Sequence, residues 1–573
     1  MALIQTAKPH NEQRTVVFVT FESEFAPLGG LAAVMRRLPR RMAALELEGA
    51  GACFTIAPYF EQIARYHKNA DEIEPTGKSY SVRFDKVEHE VDLLRHVAAD
   101  GFTTYLLDTE AFFNAPCDGS NPPSAAAPCN PYLNPAHPER LLQDALFFCA
   151  AVSKALVALG HTSDLFVCLQ DWQTASAALT IKKEPGIASA VCTLTMHNPY
   201  DHPLSDEELA QIFWRTVEGP TVLTKMIPFT DGPLCTVSEN FAAELTGDPL
   251  HTRVYAPHLQ ALLQERGVVG IDNGLFSPLD FPGEAIAAAQ RGEVAPIIEE
   301  KARRREELIE VLHAYQPEAA WGALADLESF DGPFFLCFGR DDPRQKGYDV
   351  VAAAIRQLPP GRAKFIFTPI PGDEGLAGLG FLQALAEERA GDVKVFPFRM
   401  ARGFLELMRG STYLVMASLY EPFGAATEGY AKGTPVVARA TGGLVQQVAP
   451  YPSGVMGRTV RRIADRYHAR GAAPTGFLFR EPDLVWEDIL AGWEHIVACE
   501  YDPGDRVAER AGVPLFDALV CEAAWAFQDA TDLYMEDRRA YAEMIAAGAE
   551  MLRQFSWDRA VRSYQRIFNA LGV

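Results

Sequence analysis

Phe334–Phe338 (FFLCF) is an unbroken apolar run, and the chain then reads Gly339-Arg340-Asp341-Asp342-Pro343-Arg344-Gln345-Lys346-Gly347. A run without polar alternation suits a strand buried on both faces, with helices packed outside it, as in a parallel sheet. Ligands of open parallel sheets bind outside the carboxyl ends of the strands. Here that end carries cations in an acidic chain. A diphosphate fits them, with Arg forming a forked pair and Lys a point contact. The alternative is that Arg340 and Lys346 merely neutralise Asp341, Asp342 and Asp349.

The same grammar repeats on either side of this stretch. The second half offers further apolar runs at Lys364–Thr368, Val393–Phe396, Tyr413–Met416 and Pro435–Ala438, and the first half at Thr15–Phe21, Leu165–Leu169, Val191–Thr195, Leu234–Val237 and Val268–Ile271. Such runs, taking turns with helical stretches, imply parallel βαβ units with right-handed crossovers. Two series imply two doubly wound α/β domains facing each other across a cleft. Glu284–Glu328 has no strand signal and reads as helix. The expected organisation is a first domain over 1–280, a helical linker or insertion over 281–330, a second domain over 331–550 with a helical insertion from 484, and a terminal segment over 551–573. Asn114–Pro138 is a long, breaker-rich loop of the kind that is usually functional or mobile.

Composition narrows the function classes. The 573 residues include 52 Lys+Arg against 75 Asp+Glu, a formal charge of −23. A field of that sign repels phosphate backbones and anionic lipid heads, so neither nucleic acid nor a membrane surface is an expected partner. The basic triplet Arg303-Arg304-Arg305 is flanked by Glu299, Glu300, Glu306 and Glu307 and reads as a solvated helix face. No apolar stretch reads as a signal peptide or has the length of a membrane span. The ten cysteines are scattered without a C-x-x-C pair, which suits a reducing cytoplasm and gives no zinc signature. Cys117 and Cys129 share the long loop and could pair, although nothing around them is organised for redox chemistry.

Other strand ends carry related chemistry. After Thr15–Phe21 comes Glu22-Ser23-Glu24-Phe25-Ala26-Pro27-Leu28-Gly29-Gly30-Leu31, a glycine turn into an amphipathic helix whose amides suit an anion. Asp171-Trp172 and His197-Asn198 follow two more strands, and Asn273-Gly274 reads by default as a turn. In the second half, Glu421-Pro422-Phe423-Gly424 is followed by Glu428 in a helix, and Thr441-Gly442-Gly443-Leu444 is a second amide-rich turn. Phosphate binders together with sugar-type hydrogen-bonding groups suit a nucleotide-sugar transferase.

These residues resemble the glycogen and starch synthases and, more broadly, the retaining glycosyltransferases with two Rossmann-like domains, the GT-B fold. The resemblance rests on Phe25–Leu31, Asp171-Trp172, Thr195–Asn198, Thr236–Asn240, Gly270–Gly274, the Gly339–Gly347 stretch, Glu421–Gly424 with Glu428, Gly433–Val437, Thr441–Leu444, Thr475–Phe479 and Phe555–Arg559. It implies a glucosyltransferase using ADP-glucose or UDP-glucose and extending an α-1,4-glucan. Arg340 and Lys346 would bind the donor diphosphate, Glu421 the sugar hydroxyls, and Glu428 the region of the ribose. His197 and Asp171 would line the sugar and acceptor side, with Asn273 near the transferred sugar. Gly29, Gly30, Thr441, Gly442 and Gly443 would supply phosphate-facing amides. The family needs neither metal nor cofactor, and sends its last helix, here Phe555–Leu571, back across the first domain. This chain departs at Pro27, Ala33 and Gln173, where bacterial synthases have Lys, Asp and His. Arg340 to Lys346 is one residue longer than theirs and Glu421 to Glu428 one shorter than usual. Two further expectations stand beside the first: transfer to a small sugar or sugar-phosphate acceptor, and a non-catalytic glucan- or nucleotide-sugar-binding regulator.

Overall fold

A computed structural model describes residues 14–45, 50–65, 67–114, 131–132, 139–454, 456–498 and 503–572. Cys117, Cys129 and most of the 114–138 loop lie outside the described residues. The chain divides into two compact units. The first comprises 1–237, 256–276 and 557–573, and the second 238–255 and 277–556. The segment Ser238–Tyr255, expected within the first domain, thus folds with the second unit.

The first unit is built on nine strands: β1 Arg14–Val19, β2 Ala50–Pro58, β3 Glu74–Phe84, β4 Val87–Val97, β5 Thr103–Asp108, β6 Leu165–Gln170, β7 Ala190–Met196, β8 Leu234–Thr236 and β9 Val268–Gly270, in the order β3-β4-β5-β2-β1-β6-β7-β8-β9. Val17 stands between Phe54 and Val167 in the central parallel register. The expected runs all lie in this sheet. The added strands β2 to β5 include an antiparallel hairpin, with Val87 opposite Phe84 and a tight turn at Asp85-Lys86, both at positive φ. Helix Arg140–Leu159 is apolar enough to cross a membrane by length and composition, but it is largely buried inside this unit, where Phe147 stacks on Phe112 at 3.9 Å. Helix Trp557–Ala570 returns to the same unit: Val561, Tyr564 and Phe568 join its core, and Tyr564 exchanges a 2.9 Å hydroxyl hydrogen bond with Thr195.

The second unit carries six parallel strands, β10 Phe334–Arg340, β11 Lys364–Ile370, β12 Val393–Val395, β13 Tyr413–Met416, β14 Val436–Arg439 and β15 Gly476–Phe479, in the order β12-β11-β10-β13-β14-β15. The helical stretch expected over 284–328 is shorter than read. Helices span Gly283–Gln290 and Ala295–Ala314, whereas 315–328 leaves the helix and Trp321 bridges to Val395 at the sheet edge. The basic triplet is also corrected. Ile297, Lys301, Arg304, Leu308 and Leu312 recur at helical spacing and are buried. Only Arg303 is a solvated side chain, paired with Glu300 and Glu307. Arg304 donates to the Asp280 and Lys432 carbonyls, and Arg305 lies over the Phe334 ring. The helical 484–550 region forms Trp486–Ala498, Arg506–Arg510, Pro514–Glu536 and Arg538–Met551.

Candidate active site

In the second unit, chemistry gathers at the carboxyl ends of β10, β13 and β14. Lys346, past the end of β10, donates to Glu421 Oε2 at 2.7 Å, and Ser418 donates to the same oxygen at 2.8 Å. Glu421 follows β13, the neighbour of β10 in the sheet, so strand order alone brings the ammonium and the carboxylate together. Arg340 goes the other way. Its guanidinium pairs with Asp373, beyond β11 on the opposite side of β10, and the structure does not bring it to Lys346.

The alternative, that Arg340 and Lys346 neutralise Asp341, Asp342 and Asp349, does not hold: Asp342 lies beside Arg344, and the other two have arginine partners of their own. Buried Asp341 accepts from Arg506 at 3.0 Å, and fully buried Asp349 accepts from Arg510 at 2.5 Å. Arg506 also caps the Gly378 carbonyl, and Arg510 the Pro343 and Ile496 carbonyls. Asp341 and Asp349 are therefore matched by the helical insertion, and Arg340 and Lys346 reach other partners. Nothing in the sequence linked residues some 160 positions apart, so this buttress went unread.

The Thr441–Leu444 turn corrects a second expectation. Thr441 Oγ1 and the Gly442 N–H both donate to Glu244 Oε2, at 3.0 and 2.9 Å, while the Gly443 N–H donates to the Glu421 carbonyl at 3.1 Å. These groups hold the protein's own acceptors instead of facing a phosphate. The glycines serve close approach: Gly442 has φ +48°, and a Cβ there would lie 1.7 Å from the Glu421 carbonyl oxygen. Glu244 is held in turn by Asn240 and Arg480, and Arg480 also reaches Asp248 and Glu481, whose carboxylate is gripped by Arg439. Glu428 stands in helix Ala426–Ala431, its carboxyl raised above the usual range by burial and lowered in part by Lys432.

The first unit has a parallel arrangement. The Gly29 N–H donates to Glu22 Oε2 at 2.7 Å, the Ala32 N–H to the same oxygen at 3.3 Å, and the Tyr132 hydroxyl to Oε1 at 3.0 Å. The first glycine turn thus also holds a buried carboxylate, and burial raises Glu22 above its ordinary pKa against the Gly29 N–H. Gly30 opens helix Gly30–Met35 and faces open space. Pro27 and Ala33 are exposed.

Asp171 and His197 do come together. Asp171 Oδ1 accepts the His197 N–H at 2.6 Å, Oδ2 accepts from Asn198 at 3.1 Å, and the His197 ring meets Gln170 Oε1 at 2.7 Å. Asp171 is held at φ +60°, ψ 176°, a region that side chains rarely occupy and that clusters at functional sites. Burial pushes its carboxyl up to about 8, with Glu22 adding to the rise, and desolvation holds the His197 imidazole down at about 3. At neutral pH His197 is therefore neutral, with its Nε2–H given to Gln170. Gln173 is buried, and its Oε1 has no partner among the described residues. Asn273 is buried just past β9, where Gly274 packs so closely that a Cβ would stand 2.3 Å from the Trp557 nitrogen.

Two α/β units with these strand-end clusters define a GT-B glycosyltransferase. Residues 15–264 match the family model of the starch synthase catalytic domain, and residues 325–464 that of glycosyl transferases group 1. A glycogen synthase from Thermosipho africanus is 24% identical over 511 residues, covering 83% of this chain and 94% of its own. An alpha-maltose-1-phosphate synthase from Mycolicibacterium smegmatis is 29% identical over 157 residues, 27% of this chain and 41% of its own. Among solved structures, the catalytic domain of starch synthase IV from Arabidopsis thaliana, bound to ADP and acarbose, has the same fold, with a TM-score of 0.66 at 16% identity over 98% of this chain and 99% of that one. By these matches the chain is similar to the glycogen and starch synthases.

Proposed function

We propose that the protein transfers glucose from a nucleoside-diphosphate glucose, ADP-glucose or UDP-glucose, to the non-reducing end of an α-1,4-glucan, with retention of configuration. The observation that carries this reading is the Lys346–Glu421 pair at adjacent strand ends, 2.7 Å apart. Breaking the sugar–phosphate bond leaves negative charge on the diphosphate and positive charge at the anomeric carbon. An ammonium fixed beside a carboxylate serves both: Lys346 toward the leaving group and Glu421 toward the hexose hydroxyls. Such groups accelerate because they bind the separating charges more strongly than the ground state. Arg340, on the surface beside Asp373, takes the outer phosphate. Glu421, tied to Lys346 and Ser418, is not a free nucleophile, so same-face attack within an ion-pair-like state is preferred to double displacement. Asp171 and His197 are assigned to sugar hydroxyls, Asn273 to the transferred hexose and Glu428 to the ribose. The reading routes no step through a metal or cofactor. It places the protein in the cytoplasm, in keeping with described cysteines that are all free thiols.

Lys346→Ala should lower turnover about 10²–10³-fold, by analogy with the loss of an oxyanion donor, and Arg340→Ala should abolish it while leaving the fold intact. The measurement is radiolabelled glucose incorporation into glycogen from each donor. Full activity in either variant would remove the assignment. A second reading, transfer to a sugar phosphate, is favoured by the likeness to the alpha-maltose-1-phosphate synthase. A phosphorylated disaccharide product with no polymer elongation would select it.

A further inference from the structure

The stretch Ser238–Tyr255 lies between β8 and β9 in the chain but folds with the second unit. It holds helix Glu239–Gly247 and ends in a single π-helical turn, Leu250–Tyr255. Such turns are rare and recur at functional sites. Here the turn delivers Tyr255 to the two loops that carry Lys346 and Glu421. The Tyr255 hydroxyl donates to the Arg344 carbonyl at 2.6 Å, two residues before Lys346. Its ring meets Tyr420 edge-on, with centroids 5.2 Å apart, one residue before Glu421. Tyr420 is buried, and Phe241 and His251 of the same stretch pack against it. The loops also meet directly, since the Leu419 N–H donates to the Gln345 carbonyl at 2.6 Å.

We propose that Tyr255 is a positioning residue for the transfer, bonding one loop and packing on the other so that Lys346 and Glu421 keep their separation. The inference rests on the glucosyltransferase reading above and adds a residue to it. Lysine has a flexible four-carbon stem, so its ammonium stays 2.7 Å from the Glu421 carboxylate only while both backbones are held. A misplacement of about 1 Å at such a site can cost about 10²-fold in rate. Packing alone does not account for the side chain. A bare ring would cover Tyr420, whereas the hydroxyl reaches beyond it to the carbonyl of Arg344, an exposed residue. Burial does not compel that bond, because water at the surface would satisfy the same carbonyl.

The test uses the full chain and the variant Tyr255→Phe, which keeps the ring and removes the hydroxyl, made alone and together with Lys346→Ala. Glucose transfer to glycogen is measured from ADP-glucose and UDP-glucose, and ADP and UDP binding by calorimetry. Tyr255→Phe alone should lower kcat about fivefold, the size of one lost hydrogen bond, with the KM for glycogen and the melting temperature unchanged. Added to Lys346→Ala, it should cost almost nothing more, because residues that act as a unit are not additive. A role in the fold alone would give the same fold-loss in both backgrounds, and that result would overturn the proposal, as would an unchanged kcat. If the wild type transfers glucose from neither donor, the glucosyltransferase reading falls and binding decides the proposal. Weaker ADP or UDP binding in Tyr255→Phe, but no further weakening beside Lys346→Ala, would uphold it. Equal weakening in both backgrounds, or no binding of either diphosphate by the wild type, would overturn it.

Discussion

At Asp171 a single carboxyl links backbone strain, burial and proton affinity. Its two oxygens hold the His197 amide and the Asn198 side chain, so the strand ends of β6 and β7 are tied through one residue. Its pKa is raised to about 8 from 3.8, so the folded state holds a proton there that the unfolded chain has released. Stability contributed this way is full at low pH and is lost as pH rises through 8. His197, lowered to about 3, works with the opposite sign and only below about 6.5. Between pH 6.5 and 8 the Asp171 trend stands clear of it. Urea unfolding should show wild type losing about 1 kcal/mol across that interval, with Asp171→Asn losing clearly less. Equal slopes would mean that Asp171 is already ionised at neutral pH. The sequence displayed Asp171 and His197 because each directly follows an apolar strand. It did not display Glu22 and Glu244, the carboxylates that occupy the two glycine turns. Glu22 reads as one more polar loop residue, and Glu244 sits mid-helix almost two hundred positions from the turn it caps. A glycine pair before a helix looks the same whether it admits a phosphate or a neighbouring carbonyl, and only a distance such as that from Gly442 to the Glu421 oxygen tells them apart.

Among elements, what was legible followed burial. Strands covered on both faces, such as Leu165–Leu169 and Tyr413–Met416, are uninterrupted apolar words and stand where they were expected. The hairpin of β3 and β4 was missed because one side faces solvent. Val82 and Phe84 alternate with polar residues, as do Val91 and Leu93, and a search for continuous runs passes over them. The insertion beyond residue 484 was legible as helix but not in purpose, since its contribution is made by two arginines on the short stretch Arg506–Arg510. Those arginines anchor the stretch from Asp341 to Asp349, which carries Lys346, by binding Asp341 and Asp349 where water is excluded. Removing one partner of a buried pair strands the other charge, at about 3–5 kcal/mol. Arg510→Ala should therefore lower unfolding stability by roughly that amount and raise the KM for the nucleotide-glucose donor more than that for the glucan. Arg510→Lys should recover part of both. A stability loss with an unchanged donor KM would leave Arg510 as a prop for the fold alone, unconnected to Lys346.

For the whole molecule, the path of the chain matters more than the order of its motifs. The chain leaves the first unit after Val237, returns at Ala256, leaves again after Phe276 and comes back at Trp557, so the first unit is completed only by the final residues. The closing helix is strongly one-sided. Ala560, Val561, Tyr564, Ile567 and Phe568 are buried, and Phe568 packs on Phe166 of β6, while Arg41 and Asp558 form an exposed pair. Full burial of a large apolar side chain is worth about 1.5–3 kcal/mol. Val561, Tyr564, Ile567 and Phe568 together therefore rival the entire stability of an ordinary domain, about 5–15 kcal/mol. Ending the chain at Ser556 should for that reason unfold the first unit selectively. The second unit contains no residue beyond Ser556 and should keep its own transition. Scanning calorimetry of the truncated chain should show a transition of reduced enthalpy, and amide exchange should show protection lost across β1, β6 and β7 but kept across β10, β11 and β13. Uniform loss of protection in both sheets would mean that the two units unfold as one cooperative body. Full protection in β1 and β6 would mean that the helix is only an external cover.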